Sequence, residues 1–171
     1  ASLNADITTA GDQSFGGAVT INSATANLIA QNGDIQFDGN VTAQTTLNVT
    51  AGGDLTMAGN VNADDMTADI GGTSSAVSGT LTLANGLTKD GGGTLTLTAN
   101  NTGTTTVDVL QGGIQLGDGG TSGALGTGTI NLASGTTFIV NRSDNLTIAS
   151  DLLATDTDAD GALVGGALVK Q

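Results

Sequence analysis

Apolar and polar residues alternate in short segments along this chain. The alternation is clear at residues 18–22, 26–30 and 46–51, and it returns at 92–100 and 126–132. A period of two is typical of a β-strand with one buried face. Glycine and asparagine, which favour turns, separate the segments. The pattern therefore predicts an all-β chain of many short strands.

One segment recurs along the first third of the chain. The stretch GDIQFDGNVTA at 33–43 returns as GDLTMAGNVNA at 53–63, and GDQSFGGAV at 11–19 is a third, looser copy. Repeats with a period of 20 to 50 residues are typical of solenoids, propellers and arrays. Propeller blades need about 40 residues or more. A spacing of about 20 residues with no helical pattern predicts a parallel β-helix, or β-solenoid, with about 20 residues per coil.

In such a stack, equivalent residues of successive coils lie above one another. We expect Ile35, Phe37 and Val41 to face the core, each stacked on its counterpart one coil later. The residues between them should face outward, and they vary between copies. Asn40 and Asn60 would stack as a buried asparagine ladder with amides hydrogen-bonded along the axis.

The composition agrees with strands and turns. The chain has 171 residues, with 28 Gly and no Pro or Cys, and every acidic residue is Asp. Good helix formers such as Glu, Lys and Arg are scarce or missing. The length fits one domain over 1–171, with a soft break expected near 69–79.

The charge is strongly negative, which limits the partners. Sixteen acidic residues face 3 Lys and Arg, for a net charge of −13. Nucleic acids and anionic lipid surfaces need basic patches, which three scattered cations do not form. We expect no nucleic-acid partner. No apolar run approaches the roughly 20 residues of a membrane helix, so we expect no membrane insertion by this segment.

Residues 87–128 resemble the passenger-associated repeat of bacterial autotransporters, and residues 11–63 are similar to repeats of filamentous-haemagglutinin-type exoproteins. The first resemblance departs from the family where a tyrosine and an extra glycine are usual. It implies a right-handed β-helix displayed outside a Gram-negative cell, with roles in adhesion, aggregation and biofilm formation. The implied partners are host or neighbouring-cell surface molecules, or copies of the chain itself. The residues that match the passenger repeat are Lys89, Gly93, Leu95, Leu97, Asn101, Thr102, Gly113, Ile114 and the run 124–128.

One short motif points to a metal. Asp156, Asp158 and Asp160, followed by Gly161, form the start of a calcium loop. The twelfth position of such a loop carries a bidentate Glu, and here it is Ala167. Two interpretations stay open. The three aspartates bind calcium with a further carboxylate from elsewhere, or they form a solvated turn.

These observations predict a non-enzymatic structural or adhesive rod of a secreted bacterial surface protein. No His, Cys, Tyr or Trp is available for most general-base, nucleophilic or zinc chemistry. The enzyme alternative is a β-helical lyase or glycosidase, which would need clustered carboxylates in a cleft. The structural alternative is a subunit that stacks end to end into an extracellular filament. No signal-like segment opens the sequence, so we expect either its removal or a piece of a longer chain.

Overall fold

The computed structural model describes residues 1–103, 106–148, 151–154 and 167–170. Within these ranges the regular secondary structure consists of β-strands. Alternating apolar residues form them, and glycine, serine or asparagine turns end them. The strands are β1 (Ser2–Leu3), β2 (Ile7–Thr9), β3 (Gln13–Phe15), β4 (Val19–Ile21), β5 (Thr25–Ala30), β6 (Ile35–Phe37), β7 (Val41–Ala43), β8 (Thr46–Ala51), β9 (Leu55–Met57), β10 (Val61–Ile70), β11 (Ser75–Val77), β12 (Leu81–Asp90), β13 (Thr94–Leu97), β14 (Thr106–Val109), β15 (Gly113–Leu116), β16 (Thr129–Leu132), β17 (Thr137–Val140), β18 (Asp151–Ala154) and β19 (Ala167–Lys170).

The strands stack into two parallel sheets that wind around one core. The larger sheet follows the order β1-β4-β7-β10-β12-β14-β16-β18, and β2, β5 and β8 join it through β10. The second sheet follows β3-β6-β9-β11-β13-β15-β17-β19. Each strand pairs with the strand one coil away, and all pairings are parallel. The chain is a β-solenoid of about seven turns with about 21 residues per turn, which confirms the predicted fold.

The repeat fixes the register of the first coils. Ile35 pairs with Leu55, and Phe37 pairs with Met57. Val41 pairs with Val61. All of these side chains are fully buried or nearly so. The predicted inward positions are therefore confirmed, and the predicted stacking follows from a step of one coil per repeat.

The core is a continuous column of stacked apolar side chains. Strand β5 shows why it forms, because Ala26, Leu28 and Ala30 are buried while the residues between them are not. Full burial of one such large side chain stabilises the fold by about 1.5–3 kcal/mol. In the first two coils, at the amino-terminal end of the column, the rings of Phe15 and Phe37 stack, with centroids 4.8 Å apart.

Two long strands carry the sheet through the middle of the chain. Strands β10 and β12 run for 10 residues each and pair side by side, with a register shift between Ala63 and Asp65. The stretch 69–79 contains the end of β10, a turn and β11. Strand β11 pairs with β9 on one side and with β13 on the other.

The coils change along the chain. From β10 onward each turn has two strands instead of three, because β10 pairs with both β7 and β8. A long connection at 117–128 separates β15 from β16. An isolated bridge between Asn100 and Ala124 ties this connection to the coil before it. The core pairing continues unbroken from Leu97 to Leu116 and then to Val140.

Candidate interaction surface

A ladder of aspartates runs from coil to coil, at the tight turn that precedes β3, β6 and β9. The Asp12 carboxylate accepts a hydrogen bond from the backbone N–H of Asp34 at 3.0 Å. Asp34 accepts one from Asp54 at 2.7 Å, and Asp54 accepts one from Ser74 at 2.8 Å. Each carboxylate thus caps a backbone donor of the following coil. This explains why Gly-Asp is the most constant part of the repeat.

A glycine in the following coil makes room for each of these contacts. A β-carbon on Gly33 would lie 2.5 Å from the Asp12 carboxylate oxygen, and one on Gly53 or Gly72 would overlap the carboxylate of Asp34 or Asp54. Real Cβ atoms do not approach other atoms this closely. The glycines are therefore required by the close approach of successive coils.

The asparagine ladder forms, but differently from the prediction. The Asn40 side-chain oxygen accepts a hydrogen bond from the backbone N–H of Asn60 at 2.9 Å, and Asn60 accepts one from Thr80 at 2.9 Å. Asn40 and Asn60 are exposed, so the expected buried amide-to-amide ladder is wrong for this pair. The turn leaves backbone donors open, and the side chains satisfy those donors first. The buried asparagine is Asn101, which accepts a hydrogen bond from the Leu81 N–H at 2.6 Å.

The outward side chains of the larger sheet form regular polar rows. The register places equivalent residues of successive coils next to each other, at the strand spacing of about 4.8 Å. Most of these residues are partly exposed. We call this surface the polar face. One row holds Asn27, Asn48, Thr67, Thr88, Asp108 and Asn131, and the next holds Thr25, Thr46, Asp65, Gly86, Thr106 and Thr129.

Side chains within the rows bond to one another along the axis. The Asn48 amide donates to the Asn27 side-chain oxygen at 2.9 Å, and the Asn27 amide donates to Asp6 at 2.9 Å. The Asn131 amide donates to Asp108 at 2.6 Å. The side-chain and backbone donors of Asn27 lower the pKa of the exposed Asp6 carboxyl. These bonds hold polar groups at fixed positions, so the polar face is ordered before any partner arrives.

A lysine lies inside the core. Lys89 pairs with Ala68 on one side and Val109 on the other, in an inward row, and is 0% exposed. Its ammonium donates to the backbone oxygens of Gly91 at 2.8 Å and Gln111 at 3.4 Å, and also to that of Asp90. Burial lowers the pKa of Lys89 to about 8, although the negative charges of Asp90 and Asp69 oppose the change. Lys89 therefore holds two neighbouring turns together from within.

An arginine fastens the long connection at 117–128. The Arg142 guanidinium donates to the Gly123 oxygen at 2.8 Å and to the Thr121 oxygen. It also forms a two-bond ion pair with Asp144, at 2.8 Å for each bond. A guanidinium can serve several acceptors at once because its donors form a rigid fork. Sequence reasoning missed this role, since the acceptors are backbone atoms about 20 residues away.

The chemistry of metals and small ligands has little support in the described ranges. The predicted calcium residues Asp156, Asp158 and Asp160 lie outside the described residues. Elsewhere in the described chain, no three His, Cys, Asp or Glu side chains gather closely enough to hold a metal ion. A pocket of about 20 Å³ between the 117–128 connection and residues 146–148 has room for only a water molecule or two.

The comparisons with known proteins identify no relative. No protein-family model, curated protein or solved structure matches this chain. In the described part of the chain, no helix has the length and apolar character needed to cross a membrane. The fold places the protein among β-solenoids, and the autotransporter and haemagglutinin resemblance stays a prediction.

Proposed function

We propose that this chain is a structural and adhesive rod of a secreted bacterial surface protein, and that it binds through its polar face rather than through a pocket. The observation that carries the proposal is the set of ordered rows of amides, hydroxyls and carboxylates on the polar face. The parallel register repeats these side chains at the strand spacing along the rod, so a partner meets the same groups many times.

The chemistry of the polar face favours many weak contacts. Its side chains offer hydrogen bonds and negative charge, and the whole chain has only 3 Phe and no Trp or Tyr for stacking on sugar rings. Single contacts of this kind are weak. Repetition along the rod raises the total strength, because each contact after the first forms within an already tethered complex. The natural partners are polar surfaces on other cells that present repeated groups.

The test is display of the chain on the surface of a bacterium that does not aggregate by itself. We expect faster settling of the cells and more attachment to a polar abiotic surface and to cultured epithelial cells. The informative variant replaces Asn27 and Asn48 on the polar face by lysine, which adds two positive charges and breaks the amide row. That variant should lose most of the gain.

The matched control carries two lysines on the opposite side, at Gln36 and Thr56. These residues face outward from the second sheet and pair with each other. Circular dichroism of the purified variants checks that both still fold. Equal attachment by cells with and without the folded chain would refute the adhesive role, and equal losses in the two variants would remove the polar face from it.

A further inference from the structure

The end of the solenoid formed by the first coil is open. Within the described part of the chain, strands β1, β2 and β3 each pair on one side only, with β4, β5 and β6. Leu3, Ile7 and Phe15 pack against the core from this end but remain only partly buried. The first coil therefore presents three free strand edges around an incompletely covered apolar centre.

This edge lacks most of the usual protection against pairing. Natural edge strands are blocked by charged side chains, proline, bulges or very short length. Only the last applies here, and β3 is as long as β6, with which it pairs. The three strands read Ser-Leu, Ile-Thr-Thr and Gln-Ser-Phe, with no charge and no proline. Their pairing with the second coil has no register shift. The edge is thus competent to pair with another strand on its free side.

Two glycines of the first coil have room that their counterparts lack. A β-carbon on Gly33 or Gly39 would lie about 2.5 Å or less from backbone atoms of the first coil. A β-carbon on the equivalent Gly11 or Gly17 would meet no atom of the described residues within 4 Å. The second coil needs Gly33 and Gly39 because the first coil packs against them. No contact of the described residues requires glycine at positions 11 and 17 of the first coil, yet both residues are glycine.

A buried polar group at the same end lacks a partner. Gln13 is 5% exposed and faces inward at the foot of the row that continues with Ile35. Its amide nitrogen donates to the Ile29 oxygen at 2.8 Å, but its side-chain oxygen has no hydrogen-bond partner among the described residues. A buried acceptor left unpaired costs about 1–3 kcal/mol. A hydrogen-bond donor on another coil, packed against the open side of the first coil, would remove this penalty.

We propose that the first coil is a docking surface for one more β-coil of the same Gly-Asp repeat. The added coil would pair with β1, β2 and β3, cover Phe15, and place its aspartate against Gly11, as Asp12 lies against Gly33. This inference is independent of the adhesive role.

The other end of a second copy fits this surface less well. The aspartate ladder depends on Gly-Asp pairs, and the sequence contains none after residue 118. The described strands of the far end, β18 and β19, read Asp-Leu-Leu-Ala and Ala-Leu-Val-Lys. A coil of the first-half type is therefore the better match.

The test extends the full chain with a copy of residues 19–40 placed directly before Ala1. We expect the extended chain to unfold at a higher urea concentration and the amides of β1–β3 to exchange more slowly with solvent. In the parent chain, the double substitution Gly11→Ala and Gly17→Ala should leave the urea midpoint nearly unchanged. In the extended chain the same double substitution should lower the midpoint by about 1 M, because the new coil now packs against both positions.

The control is an extension of equal length made of glycine and serine, which should change neither the midpoint nor the exchange. Equal effects of the two alanines in both chains, with no gain in protection, would overturn the proposal. Sedimentation of the parent chain tests the other possible occupant of this surface, a second copy of the chain. Concentration-dependent end-to-end growth that Gly11→Ala and Gly17→Ala abolish would assign the surface to a second copy and overturn the choice of an added coil.

Discussion

Single residues carry the links between coils, and the aspartate ladder shows how. Three carboxylates follow one another at successive coils, which is unfavourable for like charges. Each carboxylate also accepts a backbone N–H of the next coil, and such charge-assisted bonds are stronger than neutral ones. The acceptor role therefore outweighs the repulsion, and it should survive when the charge is removed.

Removal of one acceptor should weaken the ladder. We expect Asp34→Ala to lower the free energy of unfolding by about 1 kcal/mol, because the Asp54 N–H loses its partner. Asp34→Asn keeps an oxygen at the same place and removes one of the stacked charges. Its free energy of unfolding should stay close to that of the parent at low salt, because the weaker neutral bond and the lost repulsion offset each other. Urea unfolding measures both, and equal losses in the two variants would show that charge, not the acceptor, matters.

The buried Lys89 should make stability depend on alkaline pH. Its pKa is about 8 in the folded chain and about 10.4 for an unfolded lysine. Between these values the unfolded chain holds a proton that the folded chain has released. The free energy of unfolding therefore rises as pH increases through this window, by at most about 3 kcal/mol.

Urea unfolding at pH 7.5, 9 and 10.5 tests this dependence. The chain has no Tyr, Cys or His to titrate in the same range. The control is Lys89→Met, which keeps the length of the side chain and should remove most of the rise. A parent chain whose stability stays flat or falls over this window would contradict the buried position of the ammonium.

At the scale of elements, the sequence predicted the stacking well and the polar links poorly. The repeat fixed the pairing of Ile35 with Leu55, because one coil corresponds to one repeat. Alternation also places Lys89 two residues after the buried Leu87, so an inward lysine could have been predicted from the pattern. The bonds of Arg142 could not, since its acceptors are backbone oxygens that only the folded path brings near.

The Arg142 contacts predict a local effect on the long connection. We expect Arg142→Ala to speed hydrogen exchange across 117–128 by 10-fold or more, corresponding to about 1.4 kcal/mol or more of local stability, while exchange in β5 to β9 stays the same. Asp144→Asn, which keeps the backbone contacts of the guanidinium, should have a smaller effect. Hydrogen exchange with mass spectrometry measures both variants. Uniform acceleration along the whole chain would show that Arg142 supports the fold globally and not this connection.

At the scale of the whole molecule, the net charge of −13 opposes stacking of the coils. Salt screens such repulsion, with a Debye length that falls from about 30 Å at 0.01 M to about 10 Å at 0.1 M. We therefore expect the urea midpoint to rise between about 0.01 M and 0.5 M sodium chloride. The Asp34→Asn variant should show a smaller rise. A midpoint that falls or stays constant would mean that repulsion is negligible in this solenoid.

The aspartate ladder also gives the rod a direction. Asp12, Asp34 and Asp54 each accept from the coil that follows in the chain, never from the one before. A coil that has already folded thus presents a carboxylate acceptor to the backbone N–H of the next coil as that coil folds. Assembly that starts at the amino-terminal end adds every new coil to a prepared template, whereas assembly from the other end must build each coil before its cap exists.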